Sequence, residues 1–259
     1  SPWPLVTAAS LLILAYGFIT FMHQDKSLFF IIGSVALIAS SIFWWRDVVS
    51  ESEGGKFHNK VVQIGLRYGM ILFIASEVMF FSAWFWAFFD VAFYPGENSQ
   101  ELIGRQEALG GVFPPEDIEL IPPFGIPLLN TFILLASGGT VTWAHHALRE
   151  NDRKNFLIFL FLTILLGLIF TGFQGYEYVH ATFSIDEGIY PSTFYMATGF
   201  HGAHVIIGTI FLIVCFIRGA KGHFKPEKHL GFEFAAWYWH FVDVVWLFLF
   251  TFVYWWASF

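Results

Sequence analysis

The chain has 259 residues, 56% of them hydrophobic, 21% aromatic and only 13% charged. A soluble domain averages about 25% charged residues, so the composition excludes a large aqueous surface, and a mean hydropathy of +0.62 points to a bilayer. The net charge of −7 says less than where the charges fall, no nucleic-acid partner is expected, and the single cysteine, Cys215, excludes an intrachain disulfide and a thiolate metal cluster.

A spanning helix needs about 20 mainly apolar residues. Seven runs qualify in chain order, roughly 3–22, 28–45, 61–89, 126–147, 156–180, 193–218 and 232–256. They are continuous rather than alternating, which predicts helices and not a β-barrel. The first run is as long as the others and lacks a basic leader, so it reads as a span rather than a signal peptide. "HQDKS" (His23–Ser27) reads as a tight hairpin. "RDVVSESEGGKFHNK" (46–60) is the first polar break, and it divides the chain into helices 1–2 (1–45) and a five-helix unit (61–259). The loop 90–125 is long and acidic, with two Pro-Pro pairs. Such a loop is either a docking surface for a basic partner or a solvated acidic loop, and charge runs favour the second.

With the N-terminus on side one, seven crossings place eleven of thirteen basic residues there, leaving Lys26 and Arg105 on side two. The positive-inside rule makes side one the cytoplasm or matrix. Small residues recur within the runs: Ser137, Gly138 and Gly139; Gly167, Gly172 and Gly175; Gly199, Gly202 and Gly208. They predict close helix packing.

Four acids interrupt the apolar runs: Glu77, Glu177, Glu233 and Asp243. A charge at the bilayer centre costs about 2.5–3.5 kcal/mol on insertion scales. Glu77 is therefore expected to be neutral or strongly hydrogen-bonded, as a proton carrier or as a structural tie between helices. Counting depth along the spans makes His204 its candidate partner. His201 and His204 share a face of the sixth span, and His240 with Asp243 has the spacing of an intrahelical hydrogen bond. Gln174, Glu177, Tyr178 and His180 fall on the side-two part of the fifth span, and His145 and His146 at the side-one end of the fourth. No two histidines match in depth on facing helices, so neither a metal nor a haem is expected in this chain. Trp45, His58, Arg218, Lys221 and His223 gather basic and aromatic character at headgroup level. That composition suits anionic phospholipids, but spacing alone favours ordinary interfacial anchoring, which needs no bound lipid.

Longer stretches carry a resemblance: "SPWPL", "WWRDV", "VVQIGLRYGMILFIASEVMFF", "LLNTFILLASG", "VTWAHHAL", "ATGFHGAHVIIGTIFLI" and "GFEFAAWYWHFVDVVWLFLF". With these the chain resembles the cytochrome c oxidase subunit III family over nearly its whole length. The resemblance implies an all-α polytopic membrane protein. Its seven transmembrane helices would stand as two plus five around a V-shaped, lipid-filled cleft. It implies an accessory, non-redox subunit, with no catalytic residue of its own, of a proton-pumping oxidase that passes electrons from cytochrome c to oxygen. Haem a and copper would sit in the partner subunits I and II. Cytochrome c would be met through the complex, and assembly into a respiratory supercomplex is compatible with the family. The location implied is the mitochondrial inner membrane or the bacterial plasma membrane. The resemblance implies that the subunit supports proton uptake and prevents turnover inactivation, and Glu77 matches the family's buried glutamate. The resemblance also strengthens the lipid reading of Trp45, His58, Arg218, Lys221 and His223. Ser50 stands where some relatives carry arginine, and "VFPPEDIEL" departs from the family's side-two loop.

Two other readings compete. An independent proton transporter would use Glu77, Glu177 and Asp243, but it calls for inverted repeats or broken helices. A haem enzyme would need the depth-matched histidines that are missing here.

Overall fold

In hydrocarbon a backbone must satisfy its own hydrogen bonds, and the apolar runs do so as helices. The structure, a computed structural model, describes residues 1–54, 57–96 and 111–258. Seven long helices follow in order: α1 Trp3–Gln24, α2 Leu28–Gly54, α3 Lys60–Phe93, α4 Ile126–Arg149, α5 Arg153–Val179, α6 Ile189–Ala220 and α7 Leu230–Phe248. No strand occurs among the described residues. Each helix is long and apolar enough to cross a membrane. The last turns of α7, Leu249–Trp255, wind as π-helix and end in a 3-10 turn, Trp256–Ser258.

Helix ends depart from the hydropathy boundaries. α2 continues through Arg46–Gly54 and α3 reaches Phe93. Hydropathy marks where a helix leaves hydrocarbon, and a hydrogen-bonded ladder does not stop there. Local chemistry sets other ends. The side chain of Asp152 caps α5 by accepting the Asn155 N–H at 3.1 Å. Asp25 closes α1 in the left-handed region (φ 54°), its N–H bonded back to Phe21 O.

The chain divides into two compact units, Ser1–Leu66 and Arg67–Phe259. The first is built on the α1–α2 hairpin. A Cβ on Gly17 would lie 2.3 Å from the Phe30 backbone nitrogen, and one on Gly33 would lie 2.5 Å from the Leu14 backbone, so only glycine permits this approach. Phe21 stacks on Phe30, and Trp3 on Phe43. The Trp3 indole N–H donates to Asp47 at 2.6 Å.

In the second unit α7 lies against α4 and α6, and Trp239 carries it onto α5. Trp239 of α7 is fully buried. Its ring edge fits between Gly167 of α5 and Gly208 of α6, and its N–H donates to Ser137 Oγ of α4 at 2.9 Å. About two turns further on, the Trp246 N–H donates to Thr131 Oγ1 at 2.9 Å. These indoles need a polar partner once buried, and each finds one on α4. The small residues thus divide by role. Gly138, Gly167 and Gly208 sit at contacts too close for a Cβ, whereas Gly139, Gly172, Gly175 and Gly202 have nothing within 4 Å.

Of the long acidic loop, residues 97–110 lie outside the described residues, and with them Arg105 and three of the loop's glutamates; Lys56 does as well.

Candidate functional site

Glu77 lies on α3 and His204 on α6, both within the second unit. Glu77 Oε2 stands 2.8 Å from His204 Nε2. The other ring nitrogen, Nδ1, is 2.7 Å from the Phe200 carbonyl, one turn back on the same helix. A carbonyl can only accept, so Nδ1 carries a hydrogen. If Nε2 were bare and Glu77 ionised, two lone pairs would face each other at 2.8 Å. The bridge therefore holds one proton. The pair is either a neutral acid beside a neutral imidazole or a carboxylate beside an imidazolium, and it has no net charge in both forms.

Aromatic rings enclose the bridge. His204 meets Phe81 edge-on at 4.9 Å, lies nearly parallel to Tyr238 at 6.3 Å, and contacts Phe80 and Phe241. The enclosure is partial, since the Glu77 side chain keeps 20% of its exposure and His204 keeps 13%. His201, one turn earlier, is fully buried and points elsewhere, with its Nε2–H donated to Val242 O at 3.2 Å.

The other three acids have different surroundings. Arg67 of α3 holds Glu233 of α7 in a two-bond fork, Nε to Oε1 at 3.0 Å and Nη2 to Oε2 at 2.9 Å. Asp243 is buried, and its Oδ2 lies 3.7 Å from His240 Nδ1, which is too long for the hydrogen bond expected from their spacing. The imidazole is drawn away by Thr142. That hydroxyl donates to Gly138 O and accepts His240 Nε2–H at 3.2 Å. A groove of about 550 Å³ runs between α4 and α7 past Gly138, Thr142, Trp143, His240 and Asp243; it does not include Glu77. Glu177 accepts the Tyr254 hydroxyl at 2.7 Å and the Gln174 amide at 3.2 Å, both on Oε1. Tyr178 donates to Thr198, and His180 Nδ1–H to Tyr176 O.

Sequence reasoning missed three relationships. The Arg67–Glu233 fork depends on which helices are neighbours. The approach of His145 Nε2 to His229 Nε2, at 3.2 Å, joins α4 to the residue capping α7. Glu177 and His180 do form a Glu-x-x-His pair at the end of α5, and that spacing was visible in the sequence.

The residues singled out for lipid fall in both units. In the first, Trp45 is 67% exposed on α2, and the backbone carbonyl of His58 accepts the Gln63 side-chain amide at 3.0 Å. In the second, the Arg218 guanidinium lies 4.6 Å above the Phe224 ring and against Gly231, with Lys221 exposed and His223 half-buried beyond the helix end. Among the described residues, no three His, Cys, Asp or Glu side chains converge as metal donors would.

Comparison with known proteins places these residues in a larger frame. Residues 1–258 match a family model described as cytochrome c oxidase subunit III. The chain is 52% identical to the proteins named cytochrome c oxidase subunit 3 from Equus asinus, Arabidopsis thaliana and Dugong dugon. Those matches cover 100% of this chain and 95%, 94% and 95% of the respective relatives.

Proposed function

Because the chain belongs to the cytochrome c oxidase subunit III family, we propose that it is the accessory, non-redox core subunit of a proton-pumping terminal oxidase. In this reading it packs against the catalytic subunit, with subunit II completing the core. It steadies that core and supports proton uptake, and the haem a and copper belong to those partners. The full-length family match carries the proposal.

The bridge between Glu77 and His204 supports the proton part. A single proton shared between carboxyl and imidazole can move between them without creating a net charge in the membrane. An unpaired charge there is the expensive species. Both side chains stay partly exposed, so the pair lies at the edge of the bundle core rather than sealed inside it. The site then acts as a proton reservoir beside the catalytic partner. Lipid binding belongs to the same proposal, at Trp45 and His58 in one unit and at Arg218, Lys221 and His223 in the other. Side one, which carries the N-terminus and most basic residues, is the matrix or cytoplasmic side.

The test is Glu77→Gln in the assembled oxidase, read as proton-uptake rate and as the number of turnovers before inactivation. The proposal expects unchanged haem content with slower uptake or earlier inactivation. If both quantities match the parent, a purely structural, lipid-binding scaffold replaces the proton role.

A further inference from the structure

The groove between α4 and α7 carries an acid at mid-depth that the described residues leave without a donor. Gly138 lies 12 residues from the start of α4 and 11 from its end, which at 1.5 Å per residue is about 18 Å and 17 Å. Asp243 stands directly beside it, where a Cβ on Gly138 would collide with Oδ2. The Asp243 side chain keeps 9% of its exposure, and that of His240 keeps 46%. Oδ1 is sealed and unpartnered, so the carboxyl meets the groove through Oδ2. The Thr142 hydroxyl gives its hydrogen to Gly138 O and takes His240 Nε2–H, which leaves Nδ1 of the neutral ring bare. Nδ1 and Oδ2 thus stand 3.7 Å apart as two acceptors, with no donor from the described residues between them.

The bilayer does not supply that donor. Acyl chains have none, and headgroups begin about 15 Å away, at the edge of a hydrocarbon core about 30 Å thick. A water there would face hydrocarbon, since the exposed side chains of Leu135 and Val244 flank the groove. Ionisable residues at this depth face other protein segments and pair with their side chains. The groove's shape also suits protein. Gly139 lines it and meets nothing within 4 Å, so a second backbone can come close. Close approach at small residues, with a polar contact added, is what joins helices in lipid.

We propose that this face is the docking site for a membrane-spanning helix of a partner subunit. That helix lays its backbone against Gly139 and places one hydrogen-bond donor between His240 Nδ1 and Asp243 Oδ2. A hydroxyl, amide, indole or cationic side chain supplies the donor, and the apolar remainder of the helix covers Leu135 and Val244. The inference rests on the reading of this chain as an oxidase subunit, and it adds the face by which the chain is held. It is separate from the bridge of Glu77 and His204, neither of which lines the groove.

Photo-crosslinking in the intact complex tests it. Benzoylphenylalanine replaces either Val244, in the groove, or Leu168 of α5, which is equally exposed at 52% but lies off it. The complex is purified by a tag on this chain, and adducts are identified by mass spectrometry. The expected result is an adduct between Val244 and a membrane-spanning peptide of a co-purifying oxidase subunit, with that peptide absent from the Leu168 sample. A second measurement uses two leucines. Gly139→Leu fills the groove, whereas Gly172→Leu puts the same side chain at an α5 position that is likewise free within 4 Å. In a harsher detergent Gly139→Leu should leave its haem-bearing partners about fivefold or more faster than the parent, the lower end of what overpacking a close contact costs. Gly172→Leu should leave at the parent's rate. Equal release of the two leucine variants would overturn the proposal. A haem-bearing preparation in which Val244 meets only lipid would overturn it alone, whereas a preparation with neither haem nor partner chains would overturn the subunit reading and this inference with it.

Discussion

His204 meets Glu77 through one ring nitrogen at 2.8 Å and the Phe200 carbonyl through the other at 2.7 Å. The backbone bond fixes the tautomer, and the tautomer fixes the proton count of the bridge at one. A histidine held in this way cannot turn its ring to accept a second proton from elsewhere without giving up a buried backbone contact.

Substitutions at the pair should therefore differ sharply. In Glu77→Gln the new amide donates to Nε2, so the contact survives and stability changes by less than about 1 kcal/mol. In His204→Ala the carboxyl faces aromatic rings without a partner, at a cost of about 1–3 kcal/mol. Thermal denaturation of the detergent-extracted complex should rank Glu77→Gln close to the parent and His204→Ala clearly below it. The reverse order would contradict the one-proton bridge.

The Arg67–Glu233 fork joins α3 to α7, but Arg67 keeps 41% of its side-chain exposure. Solvent screening limits such a pair, so Arg67→Ala should cost about 1 kcal/mol or less. Arg67→Lys keeps the charge but loses the two-bond geometry, and should recover only part of that. Melting curves at low and high salt would show it: the gap between parent and Arg67→Ala should narrow as salt rises.

Small residues in α4–α6 offer a paired test of packing. Gly167→Ala brings a Cβ to 2.7 Å from the Trp239 ring, and Gly208→Ala to 2.9 Å from the same ring. Overpacking of this kind costs about 1–3 kcal/mol. Gly172→Ala and Gly175→Ala meet nothing within 4 Å and should be neutral or slightly stabilising. Scanning all four for detergent stability separates contact glycines from incidental ones. Uniform effects would contradict the assigned Trp239 environment.

Asp152 lies outside the spans and caps α5. Its bonds to the Asn155 backbone and side chain hold the carboxyl below the usual carboxylate range. A group depressed in this way contributes stability above its unfolded value and loses it as pH falls through the folded one. Amide exchange at Asn155 should accelerate in acid in the parent. In Asp152→Ala it should be fast already at neutral pH, with less acid dependence.

The sequence and the structure agree most closely where hydrocarbon dictates the answer. All seven spans were legible, because a run that excludes charge has no alternative to a helix. The pairing of Glu77 with His204 was legible too, since both sit a countable number of residues from a span end and their side chains meet at 2.8 Å. Rotation about a helix axis was not legible, and it decides the rest. Asp243 and His240 have the right spacing for a hydrogen bond, yet Thr142 on another helix draws the imidazole away. Tyr254 reaches Glu177 from within the π-helical turns of Leu249–Trp255, where residues no longer follow the 3.6-residue phase. The close glycines of the first unit, Gly17 and Gly33, stand alone in their runs and show no recurring pattern.

The central claim is that this chain serves a redox complex without holding its redox centre. The complex should be extracted in mild detergent by a tag on this chain, and a reduced-minus-oxidised visible spectrum recorded before and after a harsher detergent strips the chain away. The account predicts an a-type haem signal that co-purifies with two further large hydrophobic chains and stays with them when this chain is removed. A colourless preparation, or haem that follows this chain alone, would contradict it.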